Sequence, residues 1–412
     1  MNVAIRSMPI EQVHMPGSAA ELRPARIEVF QDLGEAARYW QELESSDSIY
    51  SPYQRHDWVR LWHEHVSGPA GQTPCIVVGF DQRGEPLFLW PLLRSTWGPL
   101  NVASFFGGKH ATLNVALWRA DAARGFTTSD MQDVLTELAR QCPDLDCLML
   151  SNQPVTWHGL PNPFALLPHQ LGTEDNFVLR LGLPGAQIIE REISSSMRSR
   201  LRNKERKLAK LKDYRYAKAT TANDVSRFLN AFFAQKAAKL NALGIENVFA
   251  QPGVEDFMRA ACLEGLDDDK PVIELHALEG GGEMLAMFSG IHDGYRFTSS
   301  FNSHTASDHS RQSPGLILLQ HLITDCASRG FESFDIGPGE ARYKTFFCKE
   351  LEPIFDSILP LSARGRLFTP LLRAMLSLKS TVKRNPAMWK IAYSIRSLMN
   401  RARGRQAEMP QD

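Results

Sequence analysis

No run of about 18 uncharged apolar residues occurs anywhere in this chain of 412 residues, so no segment is predicted to span a membrane. Met1 to Pro24 lacks an apolar stretch behind a basic start, which argues against a secretory leader and places the protein in the cytoplasm. Cysteine is scarce. Cys75, Cys142, Cys147, Cys262, Cys326 and Cys348 form no CxxC pair and have no histidine at a metal-ligand spacing. They are expected to be buried, reduced thiols, and no metal site is predicted. Also missing are a Ser-His-Asp order, an HExxH motif, a GxGxxG fingerprint and a GxxxxGK[ST] loop. Hydrolase, zinc, nicotinamide and nucleoside-triphosphatase chemistries therefore lack support.

The length suits two domains with tails rather than one core. Formal net charge is zero, but it is unevenly distributed. Residues 191–218 carry eleven Lys/Arg against three Asp/Glu, and residues 361–405 carry eleven Lys/Arg and no acid. The rest of the chain holds 24 bases and 43 acids, an acidic body with two basic segments.

Apolar periodicity predicts helices over 33–44, 54–65 and 131–141, a hairpin over 75–93, and strands over 146–150 and 177–181, the last closing the first half. The basic segment 193–212 reads as a linker helix with Met197, Leu201, Leu208 and Leu211 on one face and Ser194–Ser196 offering N-cap hydroxyls. Beyond a helix over 224–240 come three strands (272–278, 284–291, 295–301), a helix over 313–329 and a strand over 331–336. A short helix over 343–348 and a last strand over 352–359 follow. Three antiparallel strands, a helix and a parallel strand make an α/β sheet with one crossover.

Ser310-Arg311-Gln312-Ser313-Pro314-Gly315-Leu316 follows a strand and opens a helix. Pro314 suits a first helical turn, and Gly315 leaves the first amides uncovered. Such amides at the positive end of a helix suit a diphosphate, with Arg311 adding a charged contact. A plainly capped helix is the competing reading. Asp335, at a strand end before Gly337-Pro338-Gly339, is a candidate base, with Glu340, Tyr343 and Lys344 close behind. Asp335 as a simple turn cap, Tyr343 as a core residue and Lys344 as a surface charge are the structural alternatives. His304 and His309 are lesser base candidates, and His292 reads as structural.

Three pieces of this chain carry a family resemblance: Ser196-Met197-Arg198-Ser199-Arg200-Leu201-Arg202, the Ser313-Pro314-Gly315 turn with its Leu-rich helix, and Phe334-Asp335-Ile336-Gly337-Pro338-Gly339-Glu340 with Tyr343-Lys344. Over residues 190–360 they resemble the GNAT superfamily, nearest its CelD-type branch associated with cellulose and exopolysaccharide production and related to Fem-type transferases. The phosphate loop is poorer in glycine than in typical members. The resemblance implies an α/β GNAT fold, with two tandem GNAT-like units and a basic helical tail. Its divisions are a loose tail (1–24), a degenerate unit shaping the acceptor cleft (25–185), an acyltransferase domain (190–360) and the basic tail (361–412). It implies acetyl-CoA or another acyl-CoA as donor, held by Arg311, Gln312, Ser313, Gly315 and Leu316. Asp335 or Glu340 would be the base, and Tyr343 the proton donor to the thiolate. The acceptor is a small molecule or a glycan- or lipid-linked precursor. Two alternatives stay open: a Fem-like transferase that binds aminoacyl-tRNA through 198–218, and an inactive scaffold for a polysaccharide synthase.

The tail over 361–405 alternates apolar residues with bases. That pattern predicts peripheral contact with an anionic membrane at the inner face of the cytoplasmic membrane, with packing against the acidic body as the rival.

Overall fold

The computed structural model describes residues 23–339, 343–384 and 388. Glu340, most of the expected N-terminal tail and the chain beyond Arg384, save residue 388, lie outside the described residues.

The first half begins with β1 (Arg26–Phe30), α1 (Leu33–Ser45), β2 (Ser48–Ile49), α2 (His56–Trp62), β3 (Pro74–Phe80) and β4 (Pro86–Trp97). It continues through β5 (Leu100–Phe105), β6 (Leu117–Arg119), α3 (Ala120–Gly125) and α4 (Thr128–Gln141). Next come β7 (Cys147–Pro154), a small hairpin of β8 (Thr156–Trp157) and β9 (Leu160–Pro161), and β10 (His169–Leu171). Then follow β11 (Asn176–Arg180), α5 (Gly185–Glu192), α6 (Ser195–Leu208), β12 (Arg215–Lys218), α7 (Ala222–Ala242) and α8 (Val254–Leu263). The second sheet's main run is β13 (Glu274–Gly280), β14 (Glu283–His292), β15 (Arg296–His304), α9 (Pro314–Ser328) and β16 (Ser333–Pro338). Last are α10 (Lys344–Phe347), β17 (Glu350–Glu352), β18 (Ile354–Pro360) and α11 (Ala363–Arg384).

Local chemistry explains several boundaries. Asp32 caps α1 by accepting from the Gly34 and Glu35 amides, and Thr127 with Asp130 forms a capping box on α4. Ser194 caps α6, as its hydroxyl predicted.

Two sheets of similar plan result. The first runs β1-β3-β4-β5-β7-β18-β10, with β6 bonded to β4 and β2 to β6; the second runs β12-β13-β14-β15-β16-β11-β17. Each contains one parallel pair, β5 with β7 and β15 with β16, preceded by antiparallel strands and joined through a crossover that contains a helix. This is a mixed α/β architecture of two sheets with the same plan.

Two strands change places relative to the sequence reading. The segment expected to close the first half, β11, pairs antiparallel with β16 and β17 in the second sheet. The strand expected to end the second half, β18, pairs with β7 and β10 in the first. Period-2 alternation says which face of a strand is apolar but is silent on its neighbour. The basic helix α6 is likewise no free linker. Leu201 and Leu208 are buried in the cluster that holds Ile317, Leu318 and Leu322 of α9.

A second cluster crosses between the halves. Trp58 and Trp62 stack at 5.6 Å, and Phe257 of α8 meets both edge-on at 5.2 and 5.0 Å. Their approach depends on Gly253. Its φ is +75°, and a Cβ there would stand 1.8 Å from the His65 carbonyl oxygen. Gly253→Ala is expected to destabilise the protein by at least about 2 kcal/mol, combining overpacking with left-handed backbone strain. Gly244→Ala is the control, since it shares a positive φ (+64°) but meets nothing within 4 Å, and should cost about 1 kcal/mol. Urea midpoints compare the two; equal losses would sink the role given to the His65 contact.

Candidate functional site

The parallel pair of the second sheet is short. β15 and β16 register only at Arg296–Ser333, Phe297–Phe334 and Thr298–Asp335. Beyond these pairs Ser299–His304 of β15 have no register partner in β16, and the end of β16 forms a fork with them.

Asp335 sits at the fork and is fully buried. Its Oδ1 accepts from the Gly337 amide at 2.7 Å, so the turn-capping role is real. Its Oδ2 makes no hydrogen bond of good geometry among the described residues, although the Asn176 side chain lies near enough to favour its charge, and Arg296 Nη1 is 3.9 Å away. That guanidinium is committed elsewhere, donating to both carboxylate oxygens of Glu352 at 2.9 and 3.1 Å. Burial therefore outweighs Arg296 and pushes the Asp335 carboxyl up to about 6.

Lys344 is no surface charge. It is buried, and its Nζ donates to the Gly337 and Pro338 carbonyls at 2.9 Å each. Burial lowers its pKa. Tyr343 lies beside β15, its hydroxyl against the Asn302 side chain, and burial raises it to about 12. Asp335, Tyr343 and Lys344 are thus gathered around one fork.

Two further residues join them that the sequence reading missed. Lys236 of α7 donates from Nζ to the Asn302 carbonyl at 3.1 Å, with the Phe249 ring centroid 5.3 Å away. Burial lowers it to about 8. Its signal was available, since it falls four residues after Phe232 on the apolar side of α7. Tyr53 brings the first half to the site; its hydroxyl accepts from Thr112 Oγ1 at 3.0 Å and contacts the Ser300 side chain.

The predicted phosphate turn lies at the start of α9. Ser313 adopts φ 53°, ψ 52°, no side chain caps the first turn, and that turn contains no acid. Lys204 of α6 reaches across and donates to Ser313 Oγ at 2.7 Å, a contact the sequence did not disclose. Nothing lies within 4 Å of a Cβ built on Gly315. Leu316 packs partly against the core, Gln312 is half-buried, and Arg311 is exposed with its guanidinium 3.5 Å from Asp308. His304 and His309 stand outside the fork, His309 being 4.0 Å from Glu283. His292 bonds Glu274 at 3.1 Å, in keeping with a structural role.

The matching fork in the first sheet is filled. β5 and β7 register at Val102–Cys147 and Ala103–Leu148. The chain leaving β5 then turns back, so that the Asn114 amide donates to the Asn152 carbonyl at 3.0 Å. Asn114 Nδ2 also donates to the Ser151 carbonyl at 3.0 Å, and Gln54 Nε2 donates to Asn114 Oδ1 at 2.8 Å. Backbone and amide hydrogen bonds thus close this fork, whereas Asp335, Tyr53 and Lys344, all buried, gather at the other.

Residues 195–345 match the family described as acetyltransferase (GNAT) domain. No curated protein matches the chain in sequence. Among solved structures, FemX shares 9% identity at a TM-score of 0.54, covering 84% of this chain and 99% of that one. A conserved protein of unknown function from Bacteroides thetaiotaomicron shares 10% at 0.51, covering 81% and 100%. The C-terminal domain of a protein described as a lysylphosphatidylglycerol synthetase, from Agrobacterium fabrum, shares 12% at 0.50, covering 84% and 97%. At such identities the likeness is one of fold, and it spans both halves. Among the described residues no group of three or more His, Cys, Asp or Glu is placed to hold a metal ion, and all six cysteines are buried free thiols.

Asp335 makes stability depend on pH. Its folded pKa of about 6 exceeds the ordinary 3.8, so its contribution is complete below pH of about 4 and is lost as pH rises through 6. The two-unit shift corresponds to roughly 3 kcal/mol. Asp335→Asn, neutral throughout, is expected to melt above the wild type at pH 8 and beside it at pH 4. Thermal denaturation at both values checks this, and a gap independent of pH would contradict the raised pKa.

Proposed function

We propose that residues 190–360 form an acyltransferase of GNAT type that takes its acyl group from acetyl-CoA or another acyl-CoA. The observation that carries this reading is the buried Asp335 carboxylate where β15 and β16 stop pairing, on the same strand-helix-strand unit as the uncapped start of α9. In this reading the donor diphosphate lies on the Gly315 and Leu316 amides with Ser313, flanked by Lys204, Arg311 and Gln312. The acyl arm enters the fork. Asp335, ionised at neutral pH and with Oδ2 unsatisfied, or Glu340 takes the proton of an acceptor amine or hydroxyl. The acceptor's nitrogen or oxygen bonds to the thioester carbonyl carbon, the carbon–sulfur bond breaks, and sulfur takes up a proton through the Tyr343 hydroxyl. A phenol held at about 12 keeps its proton at neutral pH and can present it to the sulfur.

The acceptor is read as a small molecule or a glycan- or lipid-linked precursor reaching the fork between the halves, where Tyr53 and Lys236 stand. Exopolysaccharide or cellulose modification follows only from the CelD-type resemblance. A second reading, aminoacyl-tRNA as donor, draws support from the many bases of α6 and from the FemX-like fold; it predicts RNA binding that weakens steeply with salt. An inactive scaffold is the third.

Calorimetric titration of acetyl-CoA tests the first. The wild type is expected to bind with micromolar affinity, and Gly315→Glu to lose at least tenfold while keeping its melting temperature, because the site has open space for the side chain. Lys204→Glu should weaken binding in the same direction. No heat at millimolar acetyl-CoA removes the acyl-CoA reading.

A further inference from the structure

We propose that the outward face of α11 docks this protein on an anionic lipid bilayer. The helix already satisfies its folding role with its other face. Leu372 is 2% exposed, and with Phe368 and Leu376 it packs on Leu100, Val102, Cys147 and Ile358. Gly365 allows this contact, since a Cβ there would stand 1.9 Å from the Asp146 carbonyl oxygen. Arg373 then donates to the Ile358 carbonyl at 2.9 Å.

A surface helix anchored in this way needs one apolar stripe, and α11 has two. Leu367, Leu371, Met375 and Leu378 are 75%, 57%, 50% and 63% exposed. Spacings of four, four and three put them on one side of the helix. No described residue covers them.

Charge selects the occupant. Residues 361–405, which include α11, hold eleven Lys/Arg and no Asp/Glu. A second copy seated on this face would bring two such segments together, and like charges oppose that. A bilayer with anionic headgroups meets both features at once: leucines enter the interface while lysines and arginines lie among phosphates. No helix among the described residues is long and apolar enough to cross a membrane, so the contact is peripheral. Nothing in this inference depends on the acyltransferase reading.

The test is flotation of the full chain with vesicles of phosphatidylcholine alone, or with about 30% phosphatidylglycerol, at about 0.1 and 0.5 M salt. Binding to the anionic vesicles is expected to exceed binding to the neutral ones at least tenfold and to fall with salt. The Leu367→Glu/Leu371→Glu variant changes only exposed positions. It should keep its melting temperature and lose at least tenfold in binding. Equal binding to both vesicle types, or full retention by the double variant, overturns the proposal. So does a chain that ignores vesicles and instead captures an acidic protein through the same stripe.

Discussion

Arg296 is the residue on which the two halves converge. Only 6% exposed, it would impose a heavy desolvation cost without compensation. The compensation comes from elements far apart in the chain. Glu352 of β17 receives both guanidinium bonds and also accepts from Asn176 of β11, while the ring of Trp157 in β8 lies 4.2 Å beneath the charge. The Arg296 amide donates to Asp293, whose other oxygen accepts from the Trp157 indole and meets His158. Losing one partner of such a buried pair typically costs about 3–5 kcal/mol. The exchange of β11 and β18 is thereby coupled to a charge: β17, which holds Glu352, leads directly into β18, and β8, which holds Trp157, directly follows β7.

The same cluster bears on the chemistry. Because Glu352 consumes the guanidinium, Arg296 stops short of Asp335 and leaves that carboxylate buried with an unsatisfied oxygen. Had Arg296 turned to Asp335 instead, the carboxylate would titrate low and make a poor base. Two sheets of the same plan thus end differently. In the first, Asn114 and Gln54 fill the fork with protein hydrogen bonds and convert a potential cleft into support. In the second, Asp335, Tyr343, Lys344 and Lys236 gather as buried polar groups instead.

Much of this was legible in the sequence, and the failures have a common cause. The strand-helix-strand unit around Ser313-Pro314-Gly315, and the grouping of Asp335, Tyr343 and Lys344, follow from local pattern because the turn chemistry and period lie within a few residues. Lys204 at Ser313 and Lys236 at Asn302 are tertiary contacts, and a lysine within a helix reads as solvated surface until its neighbour is known. The exchanged strands failed for the same reason. The apolar runs located both strands, but hydrogen-bond partners across a sheet are chosen by the whole fold. Lys344 shows the limit from the other side: its type suggested exposure, and the Gly337 and Pro338 carbonyls hold it inside.

The placement of α6 gives the site its electrostatic character. A helix start concentrates partial positive charge, and folded proteins usually set Asp or Glu there. Here the first turn of α9 has no acid, and the contact supplied is the Lys204 ammonium on a helix that also holds Arg198, Arg200, Arg202, Arg206 and Lys207. Positive charge has been added to a positive dipole in a protein whose remaining surface has acids to spare. Stability alone does not favour that arrangement, and local violations of this kind concentrate where function requires them. An anion arriving at Gly315, as the proposed donor diphosphate would, relieves the repulsion and gains both terms at once.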